Sequence, residues 1–428
     1  MKIKDKFNFA LITCLLLSAL AFCIQALIWG LKEPYVFALP IFRDVREVPF
    51  ADFWHVNYIV HENSPYYGDM ASYPPLVLLF ALIFVPFADY SKGYETAYTE
   101  GFWAEFSLYL FYLVFAFAFS LLLFRILEKK GFSLPSQIAI VVASFFTMGM
   151  VYNFERGNFI LYALLPALVF YGYYDSEKPI VREISYLCLG ISAGIKLYPA
   201  LFALILLRKK EFFPFLRCVA YTVLALIVPF FFLDRGLANV NQFIRWLVSF
   251  AVWQANFGYN YSIANFLGIL SSIFGGVPLE EVVTADYNLI AFVCLLLPLL
   301  CGLILDKPYK VFLAACVGMI LFPNPSFYYS ATFLILPLVG LLAERKKDAF
   351  DVLYGILFFL VLSPAYLGEV DAANSLYINQ FVESFALIGM ELLLIVDAAI
   401  TVFRKRDRIP KHPIRLIKER LKLHIVAD

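Results

Sequence analysis

Apolar runs that meet or approach membrane-spanning length follow one another along most of the chain. A helix that crosses a bilayer needs about 20 predominantly apolar residues. Such runs cover residues 8–30, 104–126, 136–153, 158–174, 218–233, 286–305, 310–323, 327–343, 350–367 and 381–403. The pattern predicts a helix in each. The first run follows Lys2, Lys4 and Lys6 and contains Ala19-Leu20-Ala21, a sequence like a signal-peptidase site. The apolar stretch continues to Trp29, so a retained anchor is expected. Two further runs are interrupted. Residues 74–88 begin at Tyr73-Pro74-Pro75-Leu76, and residues 184–207 break at Lys196-Leu197-Tyr198-Pro199. Proline disfavours the helical conformation of the residue before it. The second run is therefore expected as two short half-helices, and the first as a re-entrant or interfacial segment. Irregular backbone at membrane depth is tolerated where it faces protein or a water-filled cavity, so the break at Lys196 predicts a cavity.

Composition agrees with the pattern. Of 428 residues, 62% are hydrophobic and 16% charged, against about 45–50% and about 25% in soluble domains. That excludes a soluble enzyme and a disordered regulator. The net charge of +1 excludes a basic nucleic-acid binder, and no nucleic-acid partner is expected. The seven cysteines lie in apolar runs with no C-x-x-C spacing and read as small buried hydrophobes. Basic clusters at the N-terminus, 125–130, 178–182, 208–217, 307–310, 345–347 and the tail from Arg404 hold 26 of the 34 Lys and Arg. The positive-inside rule assigns these clusters to the cytoplasmic side. The chain is then a single integral domain, 1–428, with the bilayer as its solvent. Two long segments, 31–103 and 234–285, fall on the outer side. They are rich in rings (Trp54, Tyr66, Tyr67, Trp246, Trp253, Tyr259, Tyr261) suited to a membrane interface or to stacking on sugars. The tail 404–428 carries an apolar face (Ile414, Ile417, Leu421, Ile425) and reads as a basic amphipathic helix on anionic lipid.

Few residues break the apolar pattern with chemistry. The first outer segment reads Asp52-Phe53-Trp54-His55-Val56-Asn57-Tyr58. A carboxylate among rings near a membrane surface is expected to have its pKa raised by desolvation and to accept a proton more readily. The competing reading is a helix cap over 52–62, because Asp is a good N-cap. Asn153-Phe154-Glu155-Arg156-Gly157-Asn158 connects two spanning runs on the outer side. Arg156 stands there against the positive-inside bias, and its planar fork of donors suits a phosphate. Lys196 lies in mid-membrane, where an ionisable group is costly and functional by default. It is expected to pair with a lipid phosphate or with a carboxylate. The stretches Asn256–Asn265 and Asn324-Pro325-Ser326-Phe327-Tyr328-Tyr329 read equally as turns. There is no phosphate-binding Gly-rich loop of the ATPase type, and no inverted pair of broken helices.

Taken in order, Asp52-Phe53, Pro65-Tyr66, Tyr73-Pro74-Pro75-Leu76, Arg156-Gly157-Asn158 and Gly194-Ile195-Lys196-Leu197-Tyr198-Pro199 resemble glycosyltransferase family 87 over about residues 40–340. That family contains C-type membrane enzymes that use polyprenyl-phosphate sugars, mostly mannose. The resemblance implies an all-α polytopic bundle of ten to thirteen crossings with interfacial helices in the first outer loop. It implies a catalytic Asp in that loop, with Asp52 the match. The Asp52–Tyr66 spacing looks about one helical turn shorter than the family's, which leaves Asp44 as a second candidate. Arg156 and Lys196 match positions near the donor phosphate, and Tyr73 and Tyr198 should line the same cavity. Glu155, Asn158, His55 and Tyr58 complete the expected substrate-binding set. The implied reaction is inverting transfer of a hexose, most often mannose, onto a glycolipid or glycan acceptor in cell-envelope glycan synthesis. The implied location is the outer face of a bacterial plasma membrane. Neither cofactor nor metal is expected, since two side-chain cations suffice for a monophosphate leaving group. A lipid or polysaccharide transporter or flippase is the alternative, and a non-catalytic scaffold a third reading.

Overall fold

A computed structural model describes residues 3–32, 50–61, 65–67, 73–91, 101–252, 260–276, 287–371 and 376–407. The architecture is an all-α polytopic bundle, with one small antiparallel ladder, β1 (Glu369–Asp371) and β2 (Leu376–Tyr377). Helix α1 spans Ile3–Lys32. Two short helices follow, α2 (Ala51–His61) and α3 (Pro75–Ala81). The chain then runs through α4 (Phe102–Lys129), α5 (Leu134–Phe145), α6 (Met148–Arg156), α7 (Ile160–Tyr173) and α8 (Pro179–Ile195). After a 3-10 turn at Tyr198–Ala203 come α9 (Leu204–Arg208), α10 (Phe212–Ile227), α11 (Asn239–Val252) and α12 (Ile263–Gly275). The remaining helices are α13 (Asn288–Ile304), α14 (Pro308–Leu321), α15 (Ile335–Ala343), α16 (Ala349–Leu362) and α17 (Ile378–Asp407).

Among the described residues, four helical stretches are long and apolar enough to cross a membrane: Lys6–Leu31, Phe102–Lys129, Phe212–Phe232 and Ile378–Lys405. The pair α5–α6 makes a fifth if its 54° bend lies within one span. The other apolar helices have 10–17 residues. Among the described residues, the long stretches, the bent pair and these shorter apolar helices together make the polytopic bundle. Several of the expected helices exist, but at reduced length. Proline sits at the start of α3, α8 and α14, where its missing N–H costs nothing, and each of these helices begins there. The segment 327–343 is split into a 3-10 stretch, Tyr328–Leu334, and α15.

Helix α4 shows how the bundle meets its solvent. Ser107, Phe111, Phe115, Phe119 and Leu123 recur every four residues and are buried. The opposite face carries Tyr109, Leu113 and Phe117, each more than 60% exposed. A helix with one packed apolar face and one exposed apolar face is stable in lipid and a liability in water.

Polar contacts gather the basic loops at one end. Lys307 reaches the Lys346 carbonyl, Arg208 the Leu305 carbonyl and Lys405 the Ile304 carbonyl. Lys129, at the same end of α4, donates to Gly172. Tyr112, 17 residues earlier on α4, donates to the Phe154 carbonyl at 2.5 Å. At a rise of about 1.5 Å per residue, the Arg156 region lies about 25 Å from the basic end.

Candidate functional site

The site is assembled from a turn, a short amphipathic helix and a helix break. Helix α6 ends at Arg156 because Gly157 takes the left-handed conformation (φ 65°, ψ 34°), the usual glycine C-cap. Gly157 has a second reason to lack a side chain. A Cβ there would stand 2.7 Å from the Phe53 Cβ. The missing atom lets α2 approach the 156–158 turn. Phe53, fully buried, anchors α2 among the rings of Trp54, Phe84, Phe111 and Phe159.

That approach delivers Asp52, in the first turn of α2, to two partners. Arg156 Nη2 donates to Asp52 Oδ1 at 2.7 Å, and Asn158 Nδ2 donates to Oδ2 at 2.6 Å. The orientation of the Asn158 amide is determined by its other end. Its Oδ1 accepts the Ile160 backbone N–H at 2.9 Å, so the NH2 group must face Asp52. Asp52 is 8% exposed. Burial pushes its carboxyl up, but the Arg156 charge and the hydrogen bonds from Arg156 and Asn158 outweigh burial, with a smaller contribution from the charge of His55. The net effect holds Asp52 below the ordinary aspartate value, opposite to the expectation from desolvation alone. Asp52 lies inside α2 rather than preceding it, so capping does not explain its position.

The second half of the site is the break after α8. Lys196 closes α8 in an extended conformation (φ −146°, ψ 127°), and the 3-10 turn begins two residues later at Tyr198-Pro199. The expected break is present; on its far side the chain forms a 3-10 turn and the five-residue α9. The Lys196 ammonium lies over three rings, Tyr329 at 5.2 Å, Tyr198 at 5.4 Å and Tyr73 at 5.8 Å. Such rings stabilise a cation through their quadrupoles. No ion pair joins Lys196 to a carboxylate among the described residues, so of its two expected partners the carboxylate is not the one found.

Tyr73 and Tyr329 join the halves. Both phenols feel the charges of Asp52 and Arg156, and both rings face Lys196. Burial, then the Asp52 charge, holds the Tyr73 phenol well above its ordinary value, so it remains a hydrogen-bond donor. Tyr329 was legible in sequence only as a turn residue. Its position comes from a buried polar cluster that unites residues 260–265 with residues 324–330. Asn260 accepts the Ser326 N–H at 2.8 Å and donates to Asn324 Oδ1 at 3.0 Å, while Tyr261 N donates to the Ser326 carbonyl at 2.7 Å.

A cavity of about 730 Å³ opens from Lys196, Tyr198, Tyr329 and Asn324. Its walls are apolar, from Leu247 and Val248 of α11, Phe292 and Leu295 of α13, and Met319 of α14. The cavity predicted from the helix break is therefore present, with a cationic, phenolic head and a hydrocarbon-like body.

The other candidates fall around this centre. His55 lies on α2 one turn after Asp52, and Glu155 adds negative charge near Arg156. Tyr58 packs against the main core. Asp44, Trp253 and Tyr259 lie outside the described residues, as does the tail beyond Asp407.

A polytopic helical bundle with an Asp–Arg–Asn cluster and a lysine-headed apolar cavity defines the class as a polytopic membrane protein with a charged site inside its bundle. The family model of glycosyltransferase family 87 matches residues 72–337, more than half of the chain. The chain belongs to that family and is a membrane glycosyltransferase. The match includes Tyr73, Arg156, Asn158, Lys196 and Tyr198, and it begins 20 residues after Asp52. No curated protein matches the chain.

Proposed function

We propose that this glycosyltransferase moves a hexose, mannose by family prior, from a polyprenyl-phosphate donor to a glycolipid or glycan acceptor, with Asp52 as general base. The observation that carries the proposal is the placement of a carboxylate and two cations around one pair of tyrosines, of which Tyr329 lines the apolar cavity together with Lys196. The cavity body suits a polyprenyl chain, and Lys196 and Arg156 suit its phosphate. Tyr73, Tyr198 and Asn324 supply hydrogen bonds at the boundary between sugar and phosphate. His55, Tyr58 and Glu155 line the approach for the acceptor. The position of the cluster about 25 Å from the basic end, combined with the positive-inside rule, supports a reaction on the outer face of the membrane. The first outer segment, 31–103, then supplies the base, and 234–285 supplies one cavity wall.

The reaction is a single displacement. Asp52 takes the proton of the acceptor hydroxyl. The acceptor oxygen forms a bond to the anomeric carbon as the bond from that carbon to the phosphate oxygen breaks. The electron pair of the broken bond stays on the phosphate, which leaves as polyprenyl phosphate with one more negative charge. Lys196 and Arg156 stabilise that charge where it develops. Attack opposite the leaving group inverts the anomeric configuration.

The test is donor binding by the protein in nanodiscs, with polyprenyl-phosphate-mannose, polyprenyl-phosphate-glucose and bare polyprenyl phosphate. Binding lost in both Arg156→Ala and Lys196→Ala supports the donor site, and the sugar preference names the donor. Binding that is absent, or unchanged in both variants, refutes it and favours a transporter.

A further inference from the structure

We propose that Arg156 is a shared cation, holding Asp52 in the donor-free enzyme and moving to the donor phosphate when the lipid binds, so that Asp52 becomes the base only in the donor complex. The inference rests on the donor reading above and concerns what the same site does between turnovers.

The two partners of Asp52 are built differently. Asn158 is buried and held at both ends, by Asp52 on its amide nitrogen and by the Ile160 N–H on its oxygen. It is a fixed support. Arg156 is the last residue of α6, on a long side chain that retains 19% of its exposure. It has the reach and access to change partner, whereas Asn158 does not. The destination is near. The Tyr73 and Tyr329 phenols, which feel the Asp52–Arg156 charges, carry the rings that face Lys196 at the head of the cavity.

Charge conservation then drives the exchange. With no donor, Arg156 Nη2 is held by the Asp52 carboxylate at 2.7 Å. A bound phosphodiester adds a competing anion. During transfer Asp52 gains a proton and becomes neutral while the phosphate gains a full charge, so the attraction on Arg156 shifts wholly to the phosphate. When polyprenyl phosphate departs, Asp52 gives its proton to water and Arg156 returns to it. The return compensates the cation that product leaves behind. Arg156 thus couples base formation to donor occupancy and resets the site on product release.

The test uses decaprenyl phosphate, binding to the protein in nanodiscs, with thermal unfolding of each variant as the control on folding. Asp52→Asn keeps the shape of the side chain and removes its competing charge. The expected result is that Asp52→Asn binds decaprenyl phosphate about tenfold or more tightly than wild type, on the scale of coupling between close charge pairs. The gain disappears in Asp52→Asn/Arg156→Gln. Asp52→Ala is read in the same way should Asp52→Asn fail to fold. Equal or weaker binding by a folded Asp52 variant overturns the exchange while leaving the donor site intact. A wild type and variants that all fail to bind the lipid phosphate overturn the donor reading itself, and the exchange with it. A gain that persists without Arg156 shows that the Asp52 charge repels phosphate directly, and also overturns the exchange.

Discussion

Gly157→Ala is the most informative single change, because two separable costs meet at one atom. The first is conformational. At φ 65° an alanine occupies the left-handed region, at a cost of about 1–2 kcal/mol. The second is contact. The new Cβ would stand 2.7 Å from the Phe53 Cβ and 3.4 Å from both the Phe50 Cβ and the Phe53 backbone nitrogen. Ordinary carbon contacts are about 3.5–4.0 Å, so the 156–158 turn and α2 must separate by about 1 Å. Phe53 cannot absorb this by itself, since four rings enclose it at 4.9–6.1 Å. The separation falls on the bonds that cross the gap, Arg156 to Asp52 at 2.7 Å and Asn158 to Asp52 at 2.6 Å. Stretched by about 1 Å, neither is a hydrogen bond. Misplacement of a catalytic group by about 1 Å costs about 100-fold in rate. Strain plus overpacking lowers stability by about 2–4 kcal/mol. Gly131→Ala is the matched control: it has φ 79° and nothing within 4 Å of its added Cβ. It should lose about 1–2 kcal/mol with normal turnover. The assay is sugar transfer from the donor lipid by each variant in nanodiscs, normalised to folded protein from thermal unfolding. A Gly157→Ala enzyme with wild-type turnover refutes the claim that this close approach sets the geometry of the proposed base.

Four further outcomes are expected. Asp52→Asn stays folded and loses about 100- to 10,000-fold in turnover, the usual contribution of a general base; an active variant would move attention to Asp44. Lys196→Met raises the donor KM about tenfold or more while leaving the melting temperature close to wild type, and an unchanged KM would remove Lys196 from the donor site. Asp397→Asn acts on stability instead: Lys310, 3% exposed, pairs with Asp397 at 2.5 Å and keeps only the more distant Asp351, at 3.9 Å, when that charge is removed, so the loss approaches the about 3–5 kcal/mol of a broken buried pair. Normal thermal stability in that variant would mean the pair is solvated. The pH profile carries a sign. Asp52 sits below its ordinary value, so its pairing stabilises the protein fully above the unfolded aspartate value, and that stability is lost as pH falls through the depressed value. Asp52→Asn should therefore lose less melting temperature than wild type from about pH 5 to about pH 2, and an identical loss would contradict the pairing.

The hydropathy pattern places most of the helices because lipid leaves the backbone no alternative. The break at Lys196 was legible for the same local reason, a proline beside an ionisable residue. Helix length was less legible. Runs such as 327–343 and 218–233 are apolar throughout, yet each contains a 3-10 stretch, Tyr328–Leu334 in one and Val228–Phe232 in the other. Hydropathy records burial in lipid or protein without distinguishing them, so it does not show where an apolar run leaves the α-helical form. The candidate site was legible as residues and not as relations. Asp52, Arg156, Asn158 and Lys196 each stood out as polar positions in an apolar chain. That Arg156 and Asn158 both hold Asp52 was not visible, because 104 and 106 residues separate the partners. The pKa of Asp52 went the other way for that reason: desolvation is suggested by its neighbours in sequence, while the opposing charge arrives from another helix.

What the chain by itself determined is its solvent, the order of its helices and the identity of the candidate site residues, all of which follow from local composition and from backbone rules at proline and glycine. What only the tertiary structure decided is which charges meet. Tyr329 reaches Lys196 because Asn260 and Asn324 bind two stretches distant in sequence together. Asp52 reaches Arg156 because Gly157 leaves room for Phe53. Electrostatic energy depends on separation in space, and in a folded bundle that separation is set by packing between helices rather than by distance along the chain.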